Sequence, residues 1–165
     1  MLKNALKLAV AGTLVMATVS AVAATKTTAL SVTAKVASNC SVAAPNLAFT
    51  DYDASADVDG ATDLKVNCSK GTPYSIKLGA GNGTIAQRLL KSGLNQLEYN
   101  LYTDGARSSI WGETVGTDTD GGTGNGMSAS KAVTHTVYGR IVNSVANQDA
   151  PAGSYADAVL VTVEY

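Results

Sequence analysis

Residues 27–36 read TTALSVTAKV, and the interpretation of the whole chain depends on this stretch. Apolar and polar residues alternate in it, which is the period of a β-strand with one buried face. The apolar positions are Leu30, Val32, Ala34 and Val36. Alternation alone leaves two interpretations open, because it does not tell whether a strand joins the sheet of its own domain or that of a neighbouring subunit.

The segment before this stretch has the features of an export signal. Lys3 and Lys7 give it a positive start, residues 8–17 form an apolar run, and residues 21–23 (AVA) supply the small side chains of a cleavage site. The apolar run is too short for a permanent membrane span. We therefore expect residues 1–24 to be a secretory signal peptide, with the alternating stretch near the start of the mature protein.

Length and charge limit the domain count and the partners of the remaining chain. Of the 165 residues, 141 follow the predicted signal, which suits one domain. These residues carry ten basic and thirteen acidic side chains and no run of lysine or arginine. We therefore expect no nucleic-acid partner, because such proteins carry a basic patch.

The chain has two cysteines, Cys40 and Cys68. An exported chain with an even cysteine count favours one disulfide, which here would enclose 27 residues. Two free thiols or a metal pair are the alternatives. A structural metal site usually needs four ligands, and His135 is the only histidine, so we expect the disulfide.

Short apolar runs separated by turn signals continue along the chain. The predicted strands are residues 64–68, 74–78, 88–91, 97–102, 132–142 and 155–165, with a further apolar alternation in residues 46–52. The turn at residues 70–73 predicts that the first two of these strands form a hairpin. Because no stretch has a sustained helical period, the fold class predicted is all-β, an antiparallel sandwich.

Two glycine-rich stretches invite a ligand-binding interpretation. Residues 79–83 (GAGNG) lack the spacing and the following helix of a dinucleotide site, so they predict a hairpin loop. Residues 117–126 (TDTDGGTGNG) lack the third ligand and the final glutamate of a calcium loop. They predict a solvated, flexible loop.

The predicted last strand has an unusual composition. Val159, Val161, Val163 and Tyr165 alternate along it, and no later strand of the sequence could pair with its open edge. Unprotected apolar edges promote aggregation and are normally blunted by charge or proline. A free strand near one end of the chain and an open edge at the other suggest that one completes the other across subunits.

No arrangement of catalytic residues stands out. The single histidine lies among valine and threonine in a predicted strand, and the chain has no nucleophile-elbow motif. The pairs Asp51/Asp53 and Asp57/Asp59 lie in predicted loops, where acidic side chains are usually solvated. We therefore expect neither an enzyme nor a cofactor.

Several groups of residues carry a family resemblance. In order they are Asn39-Cys40-Ser41-Val42; Val66-x-Cys68; Leu97-x-Tyr99-x-Leu101-Tyr102-x-Asp104 with Trp111-Gly112; Tyr138-Gly139-Arg140-Ile141; and Gly153-x-Tyr155-x-Asp157 before the last strand. In order and spacing they resemble the spore coat protein U domain, a family that includes subunits of archaic chaperone–usher pili. The likeness covers nearly all of the mature chain and is greatest to the major rod subunit.

The resemblance implies an incomplete immunoglobulin-like sandwich that lacks its seventh strand. It also implies a periplasmic chaperone that lends a strand, and an outer-membrane usher where the N-terminal segment of another identical or related pilin replaces it. Residues 25–36 would then be the donor strand, with Leu30, Val32, Ala34 and Val36 inserted. Residues 37–165 would be the pilin domain, with its acceptor edge at Val159, Val161, Val163 and Tyr165.

The function implied is that of a surface pilus subunit of a Gram-negative bacterium, serving adhesion and biofilm formation. Two other functions stay open at this point. One is a self-complete sandwich that binds carbohydrate or another surface, and the other is a spore or envelope coat protein with the same fold.

Overall fold

A computed structural model of the chain describes residues 22–165. The predicted signal peptide therefore lies almost wholly outside the described residues. The chain divides into two units, residues 1–34 and residues 35–165. Within the first unit, residues 22–34 form no helix or strand. No helix in the described range is long and apolar enough to cross a membrane.

The second unit contains eight strands and two very short helices. The strands are β1 (Cys40–Ala43), β2 (Val58–Cys68), β3 (Pro73–Leu78), β4 (Arg88–Ser92), β5 (Asn95–Tyr102), β6 (Asp120–Thr123), β7 (Val133–Ile141) and β8 (Val161–Glu164). A 3₁₀ turn spans Ala129–Lys131, and α1 spans Val145–Gln148.

The strands form two antiparallel sheets. One has the order β1-β2-β7-β5-β4 and the other has the order β6-β3-β8. Alternate residues of β2, β3, β5 and β7 point inward, because successive side chains of a strand lie on opposite faces. The buried apolar core is Leu64, Val66, Cys68, Tyr74, Ile76, Leu78, Leu97, Tyr99, Leu101, Trp111, Val137 and Ile141. The predicted all-β sandwich is confirmed.

The predicted hairpin of residues 64–68 and 74–78 is wrong. β2 pairs with β1 and β7, whereas β3 pairs with β6 and β8 in the other sheet. The turn between them, with Gly71 at φ +81°, carries the chain across the core. The physical reason is that alternation fixes which face of each strand is buried but not which sheet the strand joins.

The glycine-rich stretches also differ from their predictions. Residues 120–123 are strand β6, paired with β3, and not a solvated loop. Gly121 makes this possible, because a Cβ there would collide with the carbonyl oxygen of Tyr74. Residues 79–83 do not form a hairpin loop, since they connect β3 to β4, which belong to different sheets.

The extent of the strands also differs from the prediction. β2 begins at Val58, inside a stretch expected to be a loop, and the last strand is confined to Val161–Glu164. Residues 46–52 form no strand, although Leu47 and Phe49 are half-buried as their alternation predicts.

The disulfide joins Cys40 to Cys68, and no free cysteine occurs in residues 22–165. The two residues are direct cross-strand neighbours on β1 and β2. The predicted disulfide is confirmed, and the alternatives of free thiols or a metal pair are excluded.

Candidate functional site

An open groove of about 1080 Å³ runs along one side of the second unit. Its walls are residues 44–52 and residues 150–159 with Val161. Its floor consists of apolar side chains of both sheets that belong to the core or pack against it: Leu64, Leu78, Leu90, Leu97, Tyr99, Leu101, Val137 and Ile141. A groove that reaches the core is unusual, because the interior of a protein is normally filled to crystal-like density.

One wall of the groove ends in strand β8. β8 pairs with β3 on one side, and within the described part of the chain no strand pairs with its other edge. Val159, Val161 and Val163 are half-buried and share the inward face. The first two of these line the groove. Tyr165 is 58% exposed and lies in a shallow pocket beside Pro73 and Tyr74, so the four predicted edge residues are not all brought together.

The other wall, residues 44–52, is held by its side chains. Among the described residues its main chain has no backbone–backbone hydrogen bond. Leu47 and Phe49 pack on Gly60 and Gly139, which are direct partners on β2 and β7. A Cβ at Gly139 would lie 2.8 Å from Cζ of Phe49. The absent side chains of this glycine pair therefore make room for the wall.

Two further contacts anchor this wall. The ring of Phe49 meets that of Tyr99 edge to face, with centroids 6.1 Å apart. The hydroxyl of Tyr52 donates to Oδ1 of Asn143 at 2.8 Å. Side-chain contacts thus fix the position of the wall, while its backbone N–H and C=O groups have no backbone partner within residues 22–165.

A polar cluster lies in the wall formed by residues 150–159 and Val161. The Tyr99 hydroxyl donates to Oδ2 of Asp157 at 2.7 Å, and the backbone N–H of Asn82 donates to Oδ1 at 2.9 Å. Burial, together with the neighbouring Asp157 carboxylate, raises the pKa of Tyr99 well above its ordinary value. Gly81, at φ +59°, lies against the same carboxylate where a side chain would not fit. These contacts tie the 79–83 loop to the chain that leads into β8.

A buried arginine links the two sheets. Arg88, at the start of β4, is fully buried and donates to the carbonyl oxygens of Leu78, Gly79 and Trp111 and to Oδ1 of Asn100, at 2.6–2.9 Å. Burial lowers its pKa from the usual value of an arginine. Sequence reasoning missed this role, because a charged residue that opens a short strand normally points to solvent.

The single histidine also connects the sheets. Nδ1 of His135 lies 2.7 Å from Oδ2 of Asp120, and Nε2 lies 2.8 Å from the Tyr74 hydroxyl. An acid, a histidine and a hydroxyl thus stand in the same order as in a catalytic triad. Here, however, the hydroxyl is a phenol whose pKa is raised by burial and by Asp120, and none of the three lines the groove. The arrangement acts as a polar bridge through the core.

Residues 22–39 lie outside any strand. The side chains of Leu30, Val32 and Val36 are exposed by 86%, 82% and 89%. Exposure of this extent is unusual for three branched apolar side chains in one short stretch. The predicted donor residues are thus apolar side chains without a buried environment in this chain.

The sequence model of the spore coat protein U domain matches residues 26–162. The chain belongs to the spore coat protein U domain family. The resemblance found in the motifs is thereby confirmed, and membership indicates a structural protein and not an enzyme. No curated protein matches the chain.

A solved structure shares the fold of this spore coat protein U domain. It is the crystal structure of the CsuC–CsuE chaperone–tip adhesion subunit pre-assembly complex from archaic chaperone–usher Csu pili of Acinetobacter baumannii. The TM-score is 0.56 and the identity is 24%, over 79% of this chain and 40% of the other. The chain thus spans less than half the length of that protein. The likeness supports the immunoglobulin-like antiparallel sandwich.

Proposed function

We propose that this spore coat protein U domain is a structural subunit of a surface pilus, exported by a chaperone–usher route and polymerised by donor-strand complementation. The observation that carries the proposal is the open groove beside the edge of β8 with which no strand of residues 22–165 pairs. In this proposal residues 1–24 are the signal peptide, 25–36 the donor strand and 37–165 the pilin domain.

The groove offers both components of strand recognition. The β8 edge has main-chain donors and acceptors for a new strand, and the apolar floor offers contacts for alternate side chains. Leu30, Val32, Ala34 and Val36 provide an apolar face of matching period. Twelve extended residues span about 40 Å at about 3.3 Å per residue, which is enough to cross a sheet.

The contact would join different surfaces of neighbouring subunits. A head-to-tail contact that does not close on itself builds a filament. The proposed partners are therefore identical or related pilins, together with a periplasmic chaperone that covers the groove before assembly and an outer-membrane usher. The fibre would stand on the surface of a Gram-negative cell and serve adhesion and biofilm formation.

Substitution of one donor residue tests the proposal. We expect Val32→Asp to prevent fibre assembly while chaperone capture persists, because the charge would have to enter the apolar groove. Ser31→Asp is the matched control, since it adds the same charge at a neighbouring position of the opposite face. Fibres are counted by electron microscopy, and capture is measured by co-purification with the chaperone. Normal fibres from Val32→Asp would contradict the proposal.

A further inference from the structure

The groove and the proposed donor strand carry opposite charge. Among the residues that line the groove, the charged ones are Asp51 and Asp157, and no lysine or arginine lines it in the described part of the chain. Residues 25–39 contain Lys26 and Lys35 and no aspartate or glutamate. The acidic groove of one copy is therefore complementary in charge to the basic N-terminal segment of a second copy.

The two acids differ in how much of their carboxylate is free. Asp157 already accepts hydrogen bonds from the Tyr99 hydroxyl and from the backbone N–H groups of Asn82 and Ala158. Asp51 is exposed, and none of the ion pairs found within residues 22–165 includes it. Asp51 is therefore the groove acid with a carboxylate free to meet a cation.

The position of Lys35 suits such a pair. It lies between Ala34 and Val36, two of the proposed inserted residues. Because successive side chains of a strand leave on opposite faces, Lys35 would lie at the mouth of the groove when its neighbours are seated. Lys26 precedes Leu30 by four residues, farther from the apolar run.

We propose that Asp51 is a specificity residue of the groove, which selects a basic donor strand by pairing with Lys35 of a second copy. This inference rests on the proposed function. An exposed ion pair adds little affinity, but opposite charges speed the encounter and like charges penalise a wrong strand. Asp51 would thus influence which donor strand enters the groove and the rate at which it enters.

The growth rate of the polymer tests the pair. Protein purified from the periplasm of an expression host is unfolded in guanidinium with its disulfide intact and then diluted, and growth is followed by light scattering. We expect the wild-type rate to fall about fivefold between about 50 and 500 mM NaCl, because salt screens the attraction. In low salt, Asp51→Lys and Lys35→Glu should each grow about tenfold more slowly. Their rates should rise with salt, since screening relieves repulsion.

Two further variants make the test specific. The double variant Asp51→Lys/Lys35→Glu should regain the wild-type rate to within about twofold, because the pair is restored with its signs exchanged. Asp63→Lys makes the same charge change at an exposed position of β2, on the opposite face from the buried Leu64, and should grow like the wild type. Circular dichroism checks that each variant folds.

The outcomes separate this inference from the proposed function. Equal rates for Asp51→Lys and Asp63→Lys, or failure of the double variant to recover, would overturn the role of Asp51 while leaving strand exchange intact. Absence of growth in the wild type, or normal growth of Val32→Asp, would contradict the proposed function and this inference with it.

Discussion

Gly139 and its partner Gly60 place one wall of the groove. Leu47 and Phe49 rest where the side chains of these two residues would otherwise lie. Both residues belong to long strands, in which glycine is disfavoured because it has no side chain to pack and loses the most backbone freedom. Glycine at these positions is explained by the close approach of the wall.

Gly139→Ala tests this packing. A Cβ 2.8 Å from Cζ of Phe49 is closer than such atoms normally come, so Phe49 must shift or the sheet must distort. We expect the free energy of unfolding to fall by about 1–3 kcal/mol, the usual cost of an overpacked core. Gly105→Ala is the control, because its Cβ would lie at an ordinary 3.5 Å from Tyr138. Equal unfolding midpoints in urea for the two variants would contradict this account of the glycine pair.

The hydrogen bond between Asp120 and His135 makes the free energy of unfolding depend on pH. The hydrogen bond from His135 lowers the pKa of the Asp120 carboxyl below its usual value. A carboxyl whose pKa is lower in the folded state contributes stability above its unfolded pKa of about 3.9, and that contribution is lost as the pH falls through the folded pKa.

Asp120→Asn isolates this contribution. We expect the variant to be less stable than the wild type at about pH 6, with the difference in unfolding free energy narrowing below about pH 4 as the wild-type carboxyl takes up its proton. Urea unfolding of both proteins at several pH values measures the difference. A difference that stayed constant across this range would show that the ionised carboxylate is not its source.

Among the elements, alternation predicted strands better than it predicted their pairing. Residues 132–142 contain β7, which buries every second residue. Residues 97–102 lie within β5, which buries Leu97, Tyr99 and Leu101 and, between the last two, Asn100. Period two says which residues face a core but not which sheet they join, and this explains the mistaken hairpin between β2 and β3. The sequence did not predict β6, because its residues DGGT include no apolar side chain that could show alternation. They form a strand by pairing with β3.

The candidate site, like the strand pairing, could be predicted only in part from the sequence. The open last strand and the alternating N-terminal stretch could be found from composition and period alone. The wall of residues 44–52 could not, because its placement depends on Gly60 and Gly139, which lie on two different strands and become neighbours only in the folded sheet. Arg88 was missed for a related reason, since its partners are mainly backbone carbonyls that any sequence would supply.

The disulfide stabilises the edge where β1 begins. It joins β1 to β2 and closes a loop that the chain-entropy model values at roughly 3–4 kcal/mol. We expect Cys40→Ser to lower the melting temperature and the periplasmic yield, whereas Ser41→Ala, at the next and exposed position, should change neither. Melting curves with a thiol assay check both. An unchanged melting temperature in Cys40→Ser would contradict the stabilising role.

At the scale of the whole molecule, two apolar surfaces stay exposed within the described part of the chain. The second unit has a groove that opens onto its core, and the first has apolar side chains that stay exposed. Each would bury apolar surface against the other in a second copy, at about 25 cal/mol for each Å² removed from water. We therefore propose that the sandwich of one subunit is incomplete and that residues 25–36 of another subunit complete it.

The most direct test is a thermal melt of a chain shortened to begin at Ala37, with and without a peptide of residues 25–36. A peptide carrying Val32→Asp serves as the control. We predict a low or broad transition for the shortened chain, a large rise in melting temperature with the native peptide, and little rise with the control, because a ligand that binds only the folded state stabilises it. A sharp, stable transition that neither peptide changes would contradict the claim, since the sandwich would then be complete without a donated strand.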